Sequence, residues 1–287
     1  MKFLYACDIH GDKNKYNKLL EIAKKQNLHY MVWGGDLLPK KYGPRKIIQA
    51  EFLDSGFFNE YFTKLQKNNI TCVLIPGNDD LERFDKRLNE ICESYSNIIN
   101  VDKTKATVED ITFIGLSNVL DNPFRSKNRV LMEDGLKMEK QLSNEIWIKQ
   151  DTEVITEDEW RIYREKYVEK MKDVLNKLPK LKNNEKTIYI LHDPPYGIGL
   201  DDCSVGVKAG SKDIVKFLTK SGAYMSLHGH IHESPKMSGI WKANLGQTIC
   251  IQPGQTELGE EKMVYAVVDT DNNTAERFIE KAVAVHS

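Results

Sequence analysis

The sequence lacks paired cysteines and long apolar runs. Its five cysteines are odd in number, scattered and never spaced as Cys-x-x-Cys. This usage predicts reduced thiols in a reducing compartment. No apolar stretch approaches the roughly 20 residues of a membrane span, and MKFLYACDIHG meets charge too early for a signal peptide. We therefore expect a cytoplasmic protein without a membrane segment.

An excess of charge of either sign is also missing. The chain has 41 basic against 42 acidic residues, without a block of five or six like charges. This balance argues against a nucleic-acid arm or a membrane-surface patch. With 287 residues, of which 40% are hydrophobic and 29% charged, the composition is that of a folded globular protein. We expect a single domain over residues 1–287, with an insertion.

Strands alternate with helices in the first third of the chain. Three short β-rich runs, KFLYACD, YMVWGGD and TCVLIPGND, each end in polar residues. Between them, NKYNKLLEIAKKQ and RKIIQAEFLDSGFFNEYFTKLQK carry apolar residues at helical spacing. The alternation predicts βαβ units and a parallel sheet, in which chemistry gathers beyond the carboxyl ends of the strands.

The middle of the chain departs from this pattern. ATVEDITFIGLS predicts a β-hairpin, and the next strong strand, TIYILHD, begins only at residue 187. Between them, Thr156 and Glu159 form a capping box that opens a long, charged helical pattern. We expect residues 117–186 to be a mostly helical excursion. Strands AYMSLHGHIHE, QTICIQPG and MVYAVVDTD follow, with a helix capped by Ser211.

Potential metal ligands collect at the predicted strand ends. Five of the seven histidines lie there: His10, His192, His228, His230 and His232. A core or surface histidine is the ordinary explanation for any one of them, but five at equivalent positions indicate a site. With Asp8, Asp36 and Asn78 they form a nitrogen and oxygen donor set that suits Mn²⁺, Fe or Zn²⁺ and argues against Ca²⁺, copper(I) or iron–sulfur. The set is too large for one ion, and two ions about 3.5–4 Å apart suit phosphoryl transfer.

These residues resemble the calcineurin-like metallophosphoesterases. The five blocks of that family are matched in order by Asp8-Ile9-His10, Gly35-Asp36, Gly77-Asn78, His192 and Gly229-His230-Ile231-His232. The pieces HDPP and HGHIHES look most like its Icc-related bacterial and archaeal branch. The resemblance implies a metallo-dependent phosphatase-like fold. That fold is a four-layer α/β/β/α sandwich of two mixed β-sheets flanked by helices, with the metals at one edge.

The resemblance also implies a role for each ligand. Asp8, His10 and His232 would bind the first metal, Asp36 would bridge, and Asn78, His192 and His230 would complete the second. The implied cofactors are two divalent ions, manganese first, with iron or zinc as alternatives. The implied reaction is hydrolysis of phosphodiesters or small phosphorylated compounds by a hydroxide that bridges the metals.

One position departs from the family. Its third block usually reads Gly-Asn-His, and that histidine is the usual candidate to protonate the leaving oxygen, but here Asp79 takes its place. An ionised Asp79 would hold no proton and would repel a phosphate. Either the enzyme works without this acid, or His228 replaces it, or Asp79 has moved into the coordination of the metals or beside their ligands and catalysis is weak or absent.

The departure at Asp79 leaves other functions open. A metal-binding scaffold or weakly active pseudoenzyme of the same fold, acting through partner binding, is the main alternative. A nuclease would need a basic groove that the sequence lacks, so nucleic acid is not an expected partner. The loops expected to select the substrate, 38–46, 117–155 and 196–209, contain no recognisable motif. The sequence also leaves the metal pair and the oligomeric state open.

Overall fold

Two six-stranded mixed sheets form the centre of the computed structural model, which describes residues 1–40, 44–135, 140–180, 186–256 and 261–282. In spatial order, sheet I contains β16 (Thr274–Lys281), β15 (Lys262–Asp269), β1 (Lys2–Ala6), β2 (Tyr30–Gly34), β3 (Thr71–Ile75) and β4 (Ile98–Asn100). Sheet II contains β13 (Lys242–Leu245), β14 (Thr248–Ile251), β12 (Met225–Leu227), β11 (Lys186–Leu191), β6 (Ile111–Leu116) and β5 (Lys105–Val108). In sheet I, β1 to β4 are parallel to one another. β15 is antiparallel to β1, and β16 is antiparallel to β15. In sheet II, the four central strands are parallel, with β13 and β5 antiparallel at the edges.

Helices cover the outer faces of both sheets. On sheet I lie α1 (Lys13–Lys25), α2 (Arg45–Asp54), α3 (Phe57–Lys67) and α4 (Asp85–Glu93), with a 3₁₀ turn at Glu82–Phe84. On sheet II lie α6 (Met171–Lys177) and α7 (Lys212–Ser221), while α5 (Glu157–Tyr167) and α8 (Ser234–Ser238) lie in connections. The predicted four-layer sandwich is therefore confirmed. No helix in the described ranges is long and apolar enough to span a membrane.

Both faces of the central strands are buried, as their apolar runs indicated. On β1, Leu4 packs under the helices, while Phe3 and Tyr5 point into the space between the sheets. On β11, Ile188 faces sheet I and Tyr189 faces the helices of sheet II. The apolar side chains form three layers: between sheet I and its helices, between the two sheets, and between sheet II and its helices. Because successive side chains of a strand point to opposite faces, each central strand contributes to two of these layers.

Two predicted helical stretches are each divided into two helices. The stretch from residue 45 to 67 is interrupted after Asp54, where Gly56 has a φ of 74° and caps α3. The charged pattern after Thr156 is interrupted at Val168, whose backbone is extended. A break of two or three residues hardly disturbs apolar spacing, which explains why periodicity missed both. The capping box at Thr156 and the β5–β6 hairpin are confirmed.

The excursion at 117–186 is not mostly helical, and that part of the prediction is wrong. In its described residues, two strand pairs precede the helices: β7 (Val119–Leu120) with β8 (Val130–Leu131), and β9 (Ile146–Ile148) with β10 (Glu153–Ile155). Its interior is organised by a buried carboxylate. Asp121 accepts hydrogen bonds from Lys127 at 2.8 Å, from Arg164 at 2.7 Å and from the Trp160 indole at 3.1 Å. These long-range polar contacts carry no periodic signal in the sequence.

Candidate metal centre

The carboxyl ends of five strands meet at one edge of the sandwich. Asp8 and His10 follow β1, Asp36 follows β2, Asn78 follows β3, His192 follows β11, and His230 and His232 follow β12. Both sheets therefore contribute to one cluster of side chains. Hydrogen bonds join the sheets here, among them those from the His192 Nδ1 to the Gly34 carbonyl at 2.7 Å and from the His230 amide to Asp8 Oδ1 at 3.0 Å.

Four of these side chains point their donor atoms at one another. One ligand atom from each of Asp8, His10, Asp36 and His232 lies within 4.8 Å of the others. The Nε2 atoms of His10 and His232 are 3.1 Å apart. His232 Nε2 is 3.3 Å from Asp8 Oδ1, and His10 Nε2 is 3.7 Å from Asp36 Oδ2. The cluster contains all the residues that the sequence assigned to the first metal and to the bridge.

The other three predicted ligands lie on the far side of Asp36. His192 Nε2 is 3.1 Å from Asn78 Oδ1 and 3.5 Å from Asp36 Oδ1. Because the His192 Nδ1 donates to the Gly34 carbonyl, its Nε2 is free to face the cluster. The His230 ring lies beside it, with 5.5 Å between the two ring centroids. The structure therefore brings all seven predicted ligands together.

The backbone around the cluster is strained and tightly packed. Four of the clustered residues have a positive φ: Asp8 (57°), His10 (51°), Asp36 (54°) and His230 (69°). Such values are uncommon outside glycine and concentrate at functional sites. A Cβ at Gly35 would lie 2.4 Å from the His192 Nδ1, and one at Gly77 would lie 2.2 Å from Asp36 Oδ1. Both glycines allow the loops to approach the cluster closely.

The charges and unused atoms of the cluster fit a divalent cation. Asp8 Oδ2 and His10 Nδ1 are buried without a hydrogen-bond partner among the described residues. Burial would lower the His192 pKa, but the Asp36 and Asp8 carboxylates raise it to about 10. Burial lowers the pKa of His230 to about 3 and holds that of His10 well below its usual value, so both are neutral nitrogen donors. The two carboxylates thus stabilise a positive charge on His192, and the other two imidazoles are neutral donors. A site with these groups attracts a cation.

Asp79 is paired with two cations. Its carboxylate oxygens lie 3.1 Å from Lys40 Nζ and 3.0 Å from Arg45 Nη2. Its backbone amide donates to Asp36 Oδ1 at 2.8 Å. Burial alone would raise the Asp79 pKa, but the charges of Lys40 and Arg45 hold it well below its usual value. Asp79 is therefore ionised, as the sequence indicated, and the repulsion expected toward a phosphate is offset by neighbouring positive charge.

Asp80 holds the Gly-Asn-Asp-Asp turn against the loop that carries Asp36. Its buried carboxylate accepts from the amides of Gly77 at 2.8 Å, Leu37 at 2.9 Å and Leu38 at 2.7 Å. Each of these amides would otherwise be buried without an acceptor. Asp80 therefore fixes the relative positions of the loops after β2 and β3.

The predicted catalytic role of His228 is wrong. The side chain is fully buried and does not line the cavity at the cluster. Its Nε2 lies 2.8 Å from Ser226 Oγ, and its Nδ1 lies 3.0 Å from the carbonyls of both Leu191 and Asp193. Both ring nitrogens are used inside sheet II, so His228 has no access to a leaving group.

Several residues at the site carry no sequence motif and were missed. The Asn122 amide nitrogen lies 3.2 Å from His230 Nε2, and the Phe124 ring meets the His230 ring edge-on at 5.6 Å. Asn128 donates to the Asn78 carbonyl at 2.8 Å. Lys40 also comes from a loop without a motif. The available signal was the basic run LLPKKYGPRK directly after the second block, of which residues 41–43 lie outside the described part.

A cavity of about 260 Å³ opens directly onto this cluster. It is lined by Asp36, Lys40, Arg45, Asn78, Asp79, Phe124, Arg125, Ser126, His230 and His232. Its walls thus combine candidate metal ligands with three cationic side chains. The volume suits a small ligand, and the three cations favour an anionic one.

The two-sheet sandwich, with aspartate, histidine and asparagine donors at its strand ends, has the architecture of the metallo-dependent phosphatase class. The sequence profile of the calcineurin-like phosphoesterase family matches residues 1–234, and the chain belongs to that family. The protein is therefore a metal-dependent phosphoric ester hydrolase.

The chain is also similar to relatives of known sequence or structure. An uncharacterised protein from Methanocaldococcus jannaschii is 26% identical over 206 residues, which cover 70% of this chain and 68% of the relative. A solved structure from Thermus thermophilus has a TM-score of 0.57 at 15% identity and covers 98% of this chain and 99% of its own. A dimetal phosphatase from Danio rerio has a TM-score of 0.50 at 11% identity, with 99% of both chains covered. At such identities the solved structures establish the fold.

Proposed function

We propose that this chain is a dinuclear metallophosphoesterase that hydrolyses phosphodiesters or small phosphorylated compounds. The observation that carries the proposal is the convergence of seven nitrogen and oxygen donors from five strand ends in one cluster, four of which also line the cavity. Asp8, His10, Asp36 and His232 would hold one ion, and Asp36, Asn78, His192 and His230 the other. Manganese suits this donor set, with iron or zinc as alternatives. When bound, two such ions would polarise the phosphoryl group and lower the pKa of the attacking water.

The protein's own contribution is to hold the donors in place before a metal arrives. The hydrogen bond from the His192 Nδ1 to Gly34 fixes the direction of Nε2, and that from the His230 amide fixes one Asp8 oxygen. Partners of this kind orient ligands and are typically worth about 10–100-fold in metal affinity.

The return of β15 to pair with β1 supports the further proposal that residues 1–287 act as one domain.

Lys40 and Arg45 provide the positive charge that the missing histidine would have supplied. Together with Asp79 they form a group of two cations and one carboxylate at the cavity wall, so their net charge favours a phosphate. Burial would lower the Lys40 pKa, but Asp79 raises it, so Lys40 is a fixed cation and a poor proton donor. We infer that Asp79 positions the two cations and that no protein acid protonates the leaving oxygen.

This arrangement favours the hypothesis that the enzyme works without the family's acid. Such an enzyme should prefer esters with good leaving groups, because general acid help is typically worth about 10²–10⁴-fold. The alternative of a metal-binding scaffold was motivated by Asp79, which stands where the family has its proton donor and adds a negative charge. The pairing of Asp79 with Lys40 and Arg45 offsets that charge, and the loss of the proton donor stays as the motivation for this alternative.

Hydrolysis of p-nitrophenyl esters tests the proposal. Protein loaded with Mn²⁺ should hydrolyse bis-p-nitrophenyl phosphate or p-nitrophenyl phosphate above a blank. Asp36→Asn should lower both the metal content and the rate, the latter by about 100-fold or more, since even outer partners of a metal ligand reach that effect. The matched control is Asp110→Asn, because Asp110 is exposed in the β5–β6 turn. A protein inactive on both esters, whose metal content did not change in Asp36→Asn, would exclude the proposed function.

A further inference from the structure

A second cavity of about 370 Å³ continues outward from the metal centre. It shares Lys40, Arg45 and Arg125 with the inner cavity, and Trp147 and Lys46 form part of its outer wall. A molecule whose reacting phosphate lies at the cluster can therefore extend directly into this space. None of the predicted metal ligands lines it.

The outer cavity carries more positive than negative charge. Lys40, Arg45, Lys46 and Arg125 line it, and Asp151 is the one carboxylate among its described lining residues. Asp79 pairs with the first two cations and Glu145 pairs with Arg125, which leaves four cations against three carboxylates. Lys46 has no charged partner among the described residues and stands at the first turn of α2, which has no acidic residue there. The cavity therefore has one more positive than negative charge, and an anion would neutralise it.

Arg45 shows where such an anion would bind. Its Nη2 pairs with Asp79, but its Nη1 is buried without a hydrogen-bond acceptor in the described part of the chain. The nearest carboxylate oxygen of Asp151 is 3.7 Å from this nitrogen, too far for a hydrogen bond. A buried guanidinium nitrogen without an acceptor is costly, so it marks a place where a ligand oxygen would be stabilised.

The opposite wall is held rigidly. Ser126 forms a parallel bridge with Trp147, and the Trp147 amide donates to the Arg125 carbonyl at 2.8 Å. The Arg125 guanidinium lies over the Trp147 ring, 5.0 Å from its centroid. Stacking of this kind fixes the direction of a guanidinium and lowers the entropy cost of binding an anion.

We propose that the outer cavity binds a second phosphate group of the substrate, so that the preferred substrates are small compounds carrying two phosphate groups. The inference rests on the proposed function only for the position of the reacting phosphate. The second phosphate is bound by Lys46, Arg125 and the Nη1 of Arg45. The residues that would select for a second phosphate lie in segments that contain no family motif.

Binding calorimetry on the metal-free full-length protein tests the inference without any turnover. The probes are adenosine 5′-monophosphate and adenosine 3′,5′-bisphosphate, which differ by one phosphate. The bisphosphate should bind about 10- to 100-fold more tightly, because a hydrogen bond to a charged group contributes about 1.5–3 kcal/mol and about 1.4 kcal/mol corresponds to tenfold. Lys46→Ala should reduce that preference severalfold, and Arg125→Ala should reduce it further.

The control variant is Lys86→Ala, since Lys86 is an exposed helical lysine away from both cavities. It should keep the full preference, and it should hydrolyse p-nitrophenyl phosphate like the wild type when loaded with Mn²⁺. Equal binding of the two probes, or a preference unchanged in the Lys46→Ala, Arg125→Ala double variant, would overturn the inference. Failure of the proposed function would instead appear as an absence of p-nitrophenyl ester hydrolysis and would leave the calorimetric preference as it is.

Discussion

Replacement of Asp80 by asparagine tests whether this carboxylate organises the site. Asp80 is fully buried, and its two oxygens accept from the amides of Gly77, Leu37 and Leu38 at 2.7–2.9 Å. Asparagine has nearly the same shape but only one acceptor oxygen. Its NH₂ group would face at least one backbone amide, which is also a donor. One buried donor therefore loses its acceptor.

The cost follows from this count. An unsatisfied buried donor costs about 1–3 kcal/mol, and the remaining bonds lose the assistance of a negative charge. We expect Asp80→Asn to lower the free energy of unfolding by about 1–3 kcal/mol at pH 8. Because Asp80 fixes the loop that carries Asp36, the affinity for Mn²⁺ should also fall, by about 10–100-fold.

The effect should depend on pH in a defined direction. Burial and the Asp36 charge raise the Asp80 pKa to about 7 in the metal-free protein, above its value of 3.8 in the unfolded chain. Between these two pH values the unfolded state binds fewer protons than the folded state, so wild-type stability falls as the pH rises. Asparagine does not titrate. The destabilisation by Asp80→Asn should therefore be larger at pH 5 than at pH 8.

Urea unfolding in EDTA at both pH values measures the stability term, and Mn²⁺ titration measures the affinity. Asp110→Asn serves as the matched control and should change stability by less than about 0.5 kcal/mol. If Asp80→Asn behaved like this control in both measurements, Asp80 would not be the organiser of the two loops.

Three further predictions follow from the site and the excursion. Binding of Mn²⁺ should release the proton that Asp36 and Asp8 hold on His192, whose pKa is about 10; affinity should thus rise with pH from 6 to 9, and a pH-independent affinity in calorimetry would contradict this. Asp121→Asn should destabilise the protein by about 3–5 kcal/mol in urea unfolding, because it removes the buried carboxylate that Lys127 and Arg164 share; a loss under 1 kcal/mol would refute a structural role. Gly77→Ala should cost about 1–3 kcal/mol and lower the metal content, since its Cβ would lie 2.2 Å from the Asp36 Oδ1; a fully loaded, stable variant would show that the loop can move away.

The strands and the candidate ligands could be predicted because their signals are local. A β-rich run that ends in a polar residue places that residue at a sheet edge, whatever the rest of the chain does. Asp8, Asp36 and His192 were located in this way, and parallel pairing brings such ends together. The helix breaks at Gly56 and Val168 were missed because short interruptions hardly alter apolar spacing.

The surroundings of the ligands depended on contacts between distant segments. Asp79 looked like an uncompensated charge because its partners, Lys40 and Arg45, come from a segment more than thirty residues earlier in the chain. His228 looked available because it neighbours the Gly-His-Ile-His block, whereas the fold turns both its nitrogens into sheet II. No spacing rule encodes either contact.

The sequence by itself determined the strand ends, the donor types and the family, because each depends on a few consecutive residues. The tertiary structure decided which charges neutralise one another, that both ring nitrogens of His228 bond within sheet II, and which side chains line the cavities beside the cluster. These depend on loops 38–46 and 117–155, as far as they are described, meeting over the same edge of the sandwich. Electrostatic interactions act through space, so a charge is compensated or exposed only once distant segments have come together.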